Sequence, residues 1–332
     1  MGLGGLPVGR LSLPRIALVF PGQGSQAVGM GRDAAARFPE ARAVFERADA
    51  ALGFPLSRTC FEGPEEALRL TATTQPAILA TSIALYEALR AALPDLAARV
   101  ACAAGHSLGE YSALVAAGAL GLEDAVRTVR RRGEYMQEAV PVGQGAMAAV
   151  MGAPIEAVEA LCRAAAGGEV LTPANLNAPD QTVVAGAAAA VRRMLPLARE
   201  HGARRVVELP VSAPFHCALM EPARIRLAAD LARLALRDAA FPVVNNVTAL
   251  PETRAASLRD ALAAQVTAPV RWVETIRRLR SEGVAILVEV GPGKVLGGLA
   301  KRIDPEMACL HVDGPESLGA TVAALAAAAV NR

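Results

Sequence analysis

Positive and negative charge nearly cancel in this 332-residue chain: 34 lysines and arginines stand against 32 aspartates and glutamates, a formal net charge of +2. With the two signs interleaved, the chain carries no electrostatic footprint for nucleic acid or a membrane surface, although a local basic patch would still meet an acidic protein. Cysteine is sparse. Cys60, Cys102, Cys162, Cys217 and Cys309 lie far apart with no C-x-x-C pair, which reads as reduced thiols and gives no metal site. Apolar runs of membrane length are missing too. The stretches around Ala113 to Leu122 and Leu318 to Val330 fall short of the roughly 20 residues a spanning helix needs. Met1 to Pro14 is rich in glycine and leucine but lacks a signal peptide's basic start and cleavage site, and Leu6 stands where myristoylation needs Ser or Thr. It reads as a loose leader, with a cytoplasmic location as the default.

What is present describes a folded α/β protein. A hydrophobic content of 53% with 20% charged residues suits a globular chain, and the length suggests two units. Ile16 to Phe20 is an apolar strand that feeds the glycine-rich loop Pro21 to Gln26 and then a helix over Asp33 to Leu52. Pro76 opens a predicted helix to about Arg90. Val100 to Ala104, Val243 to Val247 and Ala285 to Val290 read as further strands, with a helix from Val295. Such alternation predicts a mostly parallel sheet covered on both faces. Between Pro141 and Leu209 the grammar becomes β-α-β-β-α-β, the ferredoxin-like order, so a small subdomain over 141–210 is expected inside a larger unit formed by 15–140 and 211–332. The cleft between the two is the natural site.

The chemistry centres on Gly105-His106-Ser107-Leu108-Gly109, a G-x-S-x-G pattern between a strand and a predicted helix over Leu108 to Ala119. A sharp strand-to-helix turn lifts a serine oxygen above the sheet at the positive end of a helix, so Ser107 is the candidate nucleophile; the same pattern also fits a helix-capping serine. Of the four histidines, His216 follows the small insert, where a boundary loop would return it to the cleft as general base. His106 adjoins the serine and is expected to shape the pocket wall, and His201 sits in an arginine-rich surface stretch. Asp180 is the only aspartate from Glu134 to His216. A Ser-His-Asp hydrolase would place its acid between serine and histidine, so another group, such as a backbone carbonyl, is expected to orient His216. One of Arg130, Arg131 and Arg132 would hold a substrate carboxylate if it faced inward. Gly22-x-Gly24-x-x-Ala27 matches a relaxed dinucleotide fingerprint, but no second strand follows it. Gly291-Pro292-Gly293-Lys294 lacks P-loop spacing.

Seven blocks then carry a resemblance: FPGQGSQ (Phe20 to Gln26), TTQPA (Thr73 to Ala77), GHSLGEYSALV (Gly105 to Val115), RGEYMQEA (Arg132 to Ala139), PFHCALM (Pro214 to Met220), VVNNV (Val243 to Val247) and EVGPGKVL (Glu289 to Leu296). In this order they resemble the malonyl-CoA:acyl-carrier-protein transacylase family of bacterial fatty acid synthesis, over nearly all of Ile16 to Ile303. The resemblance implies an α/β-hydrolase-like core with a ferredoxin-like insert, and ping-pong transfer of malonyl from malonyl-CoA to the phosphopantetheine thiol of holo acyl carrier protein, with no cofactor or metal. It makes Ser107 the acyl acceptor and His216 its base. Arg132 becomes the carboxylate clamp, the N–H groups of Gln23 and Leu108 the oxyanion hole, and the Gln265 carbonyl the group orienting His216. Phe215, with Leu108, fits a malonyl rather than methylmalonyl pocket.

Because carrier proteins are acidic, Arg204, Arg205, Lys294, Lys301 and Arg302 are candidates for a docking patch, or ordinary surface charge. A free-standing acyltransferase serving a polyketide synthase would share the chemistry. A serine thioesterase is favoured by G-x-S-x-G but opposed by the arginine and the missing acid; a non-catalytic carrier-binding module would not need Ser107, His216 and Arg132. A monomer is the default expectation.

Overall fold

A computed structural model describes residues 15–211 and 213–330; the expected leader, Met1 to Pro14, lies outside the described residues. Ten strands occur in chain order: β1 (Ile16–Phe20), β2 (Val100–Gly105), β3 (Gly145–Met151), β4 (Leu171–Ala178), β5 (Gln181–Ala187), β6 (Arg205–Glu208), β7 (Val243–Val244), β8 (Pro251–Glu252), β9 (Ile286–Val290) and β10 (Ala308–Val312). They form two sheets. The larger has the order β10-β9-β1-β2-β7-β8, parallel throughout except for the antiparallel edge strand β8.

Strand β1 shows why this sheet is covered on both sides. Ile16, Leu18 and Phe20 enter one apolar core and Ala17 and Val19 another, and none of the five has accessible surface. Successive strand residues point to opposite faces, so an uninterrupted apolar run marks a strand with no wet face. Most of the first core is closed by the long helix Thr71–Ala92 packed against Leu122–Glu138 and Pro39–Leu52. The second is closed by Trp272–Ser281 and Val295–Ile303.

The smaller sheet is antiparallel, order β4-β5-β3-β6, with helices Ile155–Ala166 and Ala188–Leu197 between its strands. Its residues alternate too. Ala146, Ala148 and Val150 face its own helices, whereas Met147 and Ala149 join the core of the larger sheet. Main-chain bonds tie it down: Leu176 N–H donates to the Val270 carbonyl at 2.9 Å and Val270 N–H to Ala174 at 2.9 Å.

Three local readings are corrected. The helix expected from Pro76 begins at Thr71, because the N–H groups of Thr73 and Thr74 close its first turn onto the Leu70 carbonyl, each at 2.7 Å, and Pro76 sits inside it. The helix expected over Asp33 to Leu52 is two, Arg32–Arg37 and Pro39–Leu52, broken at extended Phe38 because Pro39 disfavours a helical residue before it. The strand expected over Val243 to Val247 stops at Val244, and Asn245 and Asn246 turn away to make side-chain bonds instead.

Gly133 lets two helices touch: a Cβ there would stand 2.7 Å from the Thr71 carbonyl oxygen and 2.8 Å from the Ala72 Cα. Backbone cannot yield as a side chain does, so Gly133→Ala is expected to destabilise the fold by about 1–3 kcal/mol. Urea unfolding checks this; an unchanged midpoint would show that the helices separate freely.

Candidate active site

Ser107 follows β2 with φ of 51°, in the left-handed region that a side chain rarely adopts. The elbow is possible because its flanking glycines have no side chains: a Cβ on Gly105 would collide with the Gly109 carbonyl, and one on Gly109 with the backbone oxygens of Phe20 and Pro21. The helix Gly109–Ala116 then starts directly under the serine. Neither Leu108 N–H nor Gln23 N–H bonds to another backbone or side-chain group among the described residues, and both residues line the cleft holding Ser107.

His216 also has a positive φ, 60°, and is almost fully buried. Its Nε2 lies 2.7 Å from Ser107 Oγ, and its Nδ1 lies 2.9 Å from the Gln265 carbonyl oxygen. Because a carbonyl only accepts, Nδ1 carries the proton and Nε2 is free to accept the serine hydroxyl. Burial, reinforced by the Arg132 charge, pushes His216 down to about 3, so it is neutral at neutral pH, with the Nε2 lone pair free.

Only one of the three consecutive arginines turns inward. Arg130 pairs with Glu134 and lies over the Phe54 ring, and Arg131 reaches Asp230. Arg132 is buried, with Nη1 donating to Gln75 Oε1 at 2.8 Å and Nη2 to both Gln265 Oε1 at 2.9 Å and Ser107 Oγ at 3.0 Å. Among the described residues no carboxylate pairs with it directly. A buried guanidinium pointed at a candidate nucleophile, with no carboxylate of its own, can accept an acid as partner.

The cleft is lined by Gln23, His106, Ser107, Leu108, Arg132, Phe215 and His216, with Met136 and Met147 supplying apolar wall. Gln265 lies behind it, fully buried, so every residue expected from sequence falls at one place. His106 leans away from the serine toward Asn177 Oδ1, 2.8 Å from its Nε2, and toward the Trp272 ring; burial lowers its proton affinity. Cys217, beside His216, is pushed up to about 11 by burial, which removes it as a thiolate at neutral pH.

Three polar residues of the site were given no role from sequence. Asn246 accepts the Ser107 N–H on Oδ1 at 2.7 Å and donates to the Gly105 carbonyl at 2.6 Å, clamping the elbow. Glu110, one residue past the elbow glycine, takes the Asn246 N–H at 3.0 Å and Gln265 Nε2 at 2.8 Å on the same carboxyl oxygen, Oε2. Gln75 holds the far side of Arg132. All three lie in the recognisable blocks, and a polar residue in an otherwise apolar stretch is the signal that marks them. Of the basic docking candidates, Arg302 is engaged with Asp180 and Gln181 and Lys301 with the Pro305 carbonyl, while Arg204, Arg205 and Lys294 are exposed.

Residues 17–302 match the acyl transferase domain family, and the chain belongs to that family of enzymes. Within it, the chain is 46% identical over 308 residues to malonyl CoA-acyl carrier protein transacylase of Haemophilus influenzae, covering 93% of this chain and 98% of the relative. The structure of the Coxiella burnetii malonyl CoA-acyl carrier protein transacylase superposes with a TM-score of 0.91 at 43% identity, over 94% of this chain and 98% of that one. A malonyl-transacylase solved in complex with a type II polyketide synthase acyl-carrier protein superposes at 0.89, also 43% identical, over 93% and 99%. Among the described residues no helix is long and apolar enough to cross a membrane.

The depressed His216 has a thermodynamic consequence. Between its folded value near 3 and the ordinary 6.5, the unfolded chain binds a proton that the native imidazole does not. Stability from this group is therefore complete above about pH 6.5 and is lost as pH falls, by at most about 1.4 kcal/mol per unit. Relative to His216→Gln, the wild-type protein should lose urea resistance between about pH 7 and about pH 5; parallel curves for the two proteins would contradict a neutral buried His216.

Proposed function

We propose that this chain is a malonyltransferase that carries malonyl from malonyl-CoA to the phosphopantetheine thiol of holo acyl carrier protein, supplying fatty acid synthesis. The observation that carries the reading is Arg132: a buried cation without a carboxylate partner, 3.0 Å from the candidate nucleophile. An acetyl group would leave that charge unanswered, whereas the malonyl carboxylate replaces the serine oxygen as its ligand.

Each step uses a group already in place. His216 Nε2 takes the Ser107 proton as Oγ attacks the thioester carbonyl. The tetrahedral oxyanion is met by the N–H groups of Gln23 and Leu108, and losing one such donor typically costs about 10²- to 10³-fold in rate. The tetrahedral adduct expels CoA, which leaves as a thiol on taking the proton from His216. The carrier thiol then gives its proton to His216 and attacks the malonyl ester, regenerating Ser107. The Gln265 carbonyl holds the imidazole in its reactive tautomer throughout. Phe215 and His106 bound the acyl pocket. Nothing in this sequence requires a metal or redox cofactor.

The architecture is consistent with an α/β-hydrolase-like core made of 15–140 and 211–332 and a ferredoxin-like subdomain of 141–210; the β-α-β-β-α-β order and the sheet order β4-β5-β3-β6 support the latter. A second reading, transfer to the carrier of a polyketide synthase, is favoured by the similarity to the malonyl-transacylase solved with such a carrier. Competition between the two carriers for the loaded enzyme separates them.

Intact mass after brief mixing with malonyl-CoA should show a malonyl increment that holo carrier protein discharges and that Ser107→Ala abolishes. Arg132→Ala should lower malonyl loading by about tenfold to a hundredfold, as the loss of a charge-assisted bond of about 1.5–3 kcal/mol requires, while sparing acetyl loading from acetyl-CoA. An adduct that survives Ser107→Ala, or malonate released without any carrier, would overturn the reading.

A further inference from the structure

Glu110 is a buried titratable group that the transfer steps do not use. It is 1% exposed, on the helix Gly109–Ala116 beneath the nucleophile. Among the described residues no cation touches it. Its Oε2 accepts only amide N–H groups, and its Oε1 is buried without a hydrogen-bond partner among the described residues. The Gln265 side chain joins it to Arg132: Nε2 donates to Glu110 while Oε1 accepts from Arg132. One positive charge thus faces one carboxylate across a single amide.

A malonyl carboxylate on Arg132 would bring a second negative charge to the same cation, inside the same low-dielectric space. Two carboxylates sharing one site do not both stay ionised at neutral pH, because their repulsion in a buried setting favours protonation of one. We propose, on the malonyl reading given above, that Glu110 is a positioning residue that takes up a proton when malonyl occupies Arg132, so that loading with a carboxyl-bearing acyl group is coupled to proton uptake and loading with acetyl is not. The proton comes from solvent and adds to the carboxylate; no other bond changes.

The surroundings leave Glu110 as the responsive group. Burial pushes its carboxyl up to about 7, against the pull of the two amide bonds and of Arg132. Burial displaces the other ionisable groups facing it. Arg132 comes from the helix Leu122–Glu138, and burial lowers a guanidinium from a value far above neutral. Tyr111, on its own helix, is pushed upward by burial. His216 and His106, from the loops above, are both pushed down. The helix Thr71–Ala92 contributes neutral Gln75.

The sign follows. Below the unloaded value Glu110 is already protonated, and loading needs no uptake; above it, loading must first discharge the carboxylate, so malonyl is disfavoured as pH rises. The test is the ratio of malonyl to acetyl adduct on Ser107 at equilibrium with equal malonyl-CoA and acetyl-CoA, since release of CoA thiol is common to both and cancels. From about pH 6.5 to about pH 8.5 the wild-type ratio should fall severalfold, by at most about tenfold per unit. In Glu110→Gln, whose carboxamide oxygen can accept the same two bonds, the ratio should be flat. Should that variant not fold, the wild-type protein alone suffices: a pH-indicator dye in weak buffer near pH 8 should register up to about one more proton taken up per malonyl than per acetyl loaded. A wild-type ratio that is flat, or that slopes equally in Glu110→Gln, or equal proton counts for the two donors, overturns the proposal while leaving the transferase intact. Absence of any malonyl adduct on the wild-type protein overturns the malonyl reading and this proposal with it.

Discussion

The hydrogen bonding of one buried residue, Gln265, governs the geometry on which the rest of the site depends. Its carbonyl fixes the His216 tautomer, its side-chain oxygen places Arg132, and its side-chain nitrogen holds the Ser107 carbonyl at 3.0 Å as well as Glu110. His216, Arg132 and Ser107 are thereby registered to a single amino acid at the end of the helix Ala255–Gln265. The side-chain amide cannot be turned over without setting donor against donor at Arg132 and acceptor against acceptor at Glu110. Buried polar groups of this kind are worth little as isolated bonds and more as a connected network.

On the proposed mechanism, a neutral carbonyl behind the histidine has a chemical meaning. An aspartate in that place would stabilise the imidazolium that forms when serine gives up its proton. Here that stabilisation is weaker, and Arg132 nearby opposes the positive imidazole further. Such a base suits a substrate whose leaving group needs little help: a thiol departs far more readily than an alcohol or an amine because its conjugate base is stable near neutral pH. On the proposed mechanism the same weakness would slow activation of water, and transfer to a second thiol would be favoured over hydrolysis.

Much of this was readable from residues alone, for identifiable reasons. The parallel strands announced themselves as short apolar runs ending in glycine-rich turns, and the elbow by the two glycines that its backbone contacts demand. Arg132 could be chosen among three neighbours only through the family pattern, since periodicity does not say which helix face is covered. Pro76 misled because proline usually begins helices, whereas here the threonines before it supply the first turn. Asn246 was hidden inside what looked like a strand; its ladder ends early because its amide is claimed by Ser107 and Gly105, 139 and 141 positions away. Pairings at that separation leave no local trace. Glu110 lies within a motif but carries no pattern of its own, and only the fold reveals that it lies one amide from a cation.

The small sheet deserves to be considered as a wall rather than an appendage. Its inner residues Met147 and Ala149 are part of the main core, and its strand β4 is joined to the loop after Gln265 by two main-chain bonds. Opening the cleft as a jaw would break that seam and wet an apolar face. On the proposed reading, acyl size is therefore a matter of upholstery: the frame stays, and tolerance for bulkier groups would be retuned through cleft-lining side chains such as Met136, Met147 and Phe215, leaving a scaffold that diversifies by local substitution without relearning how to fold.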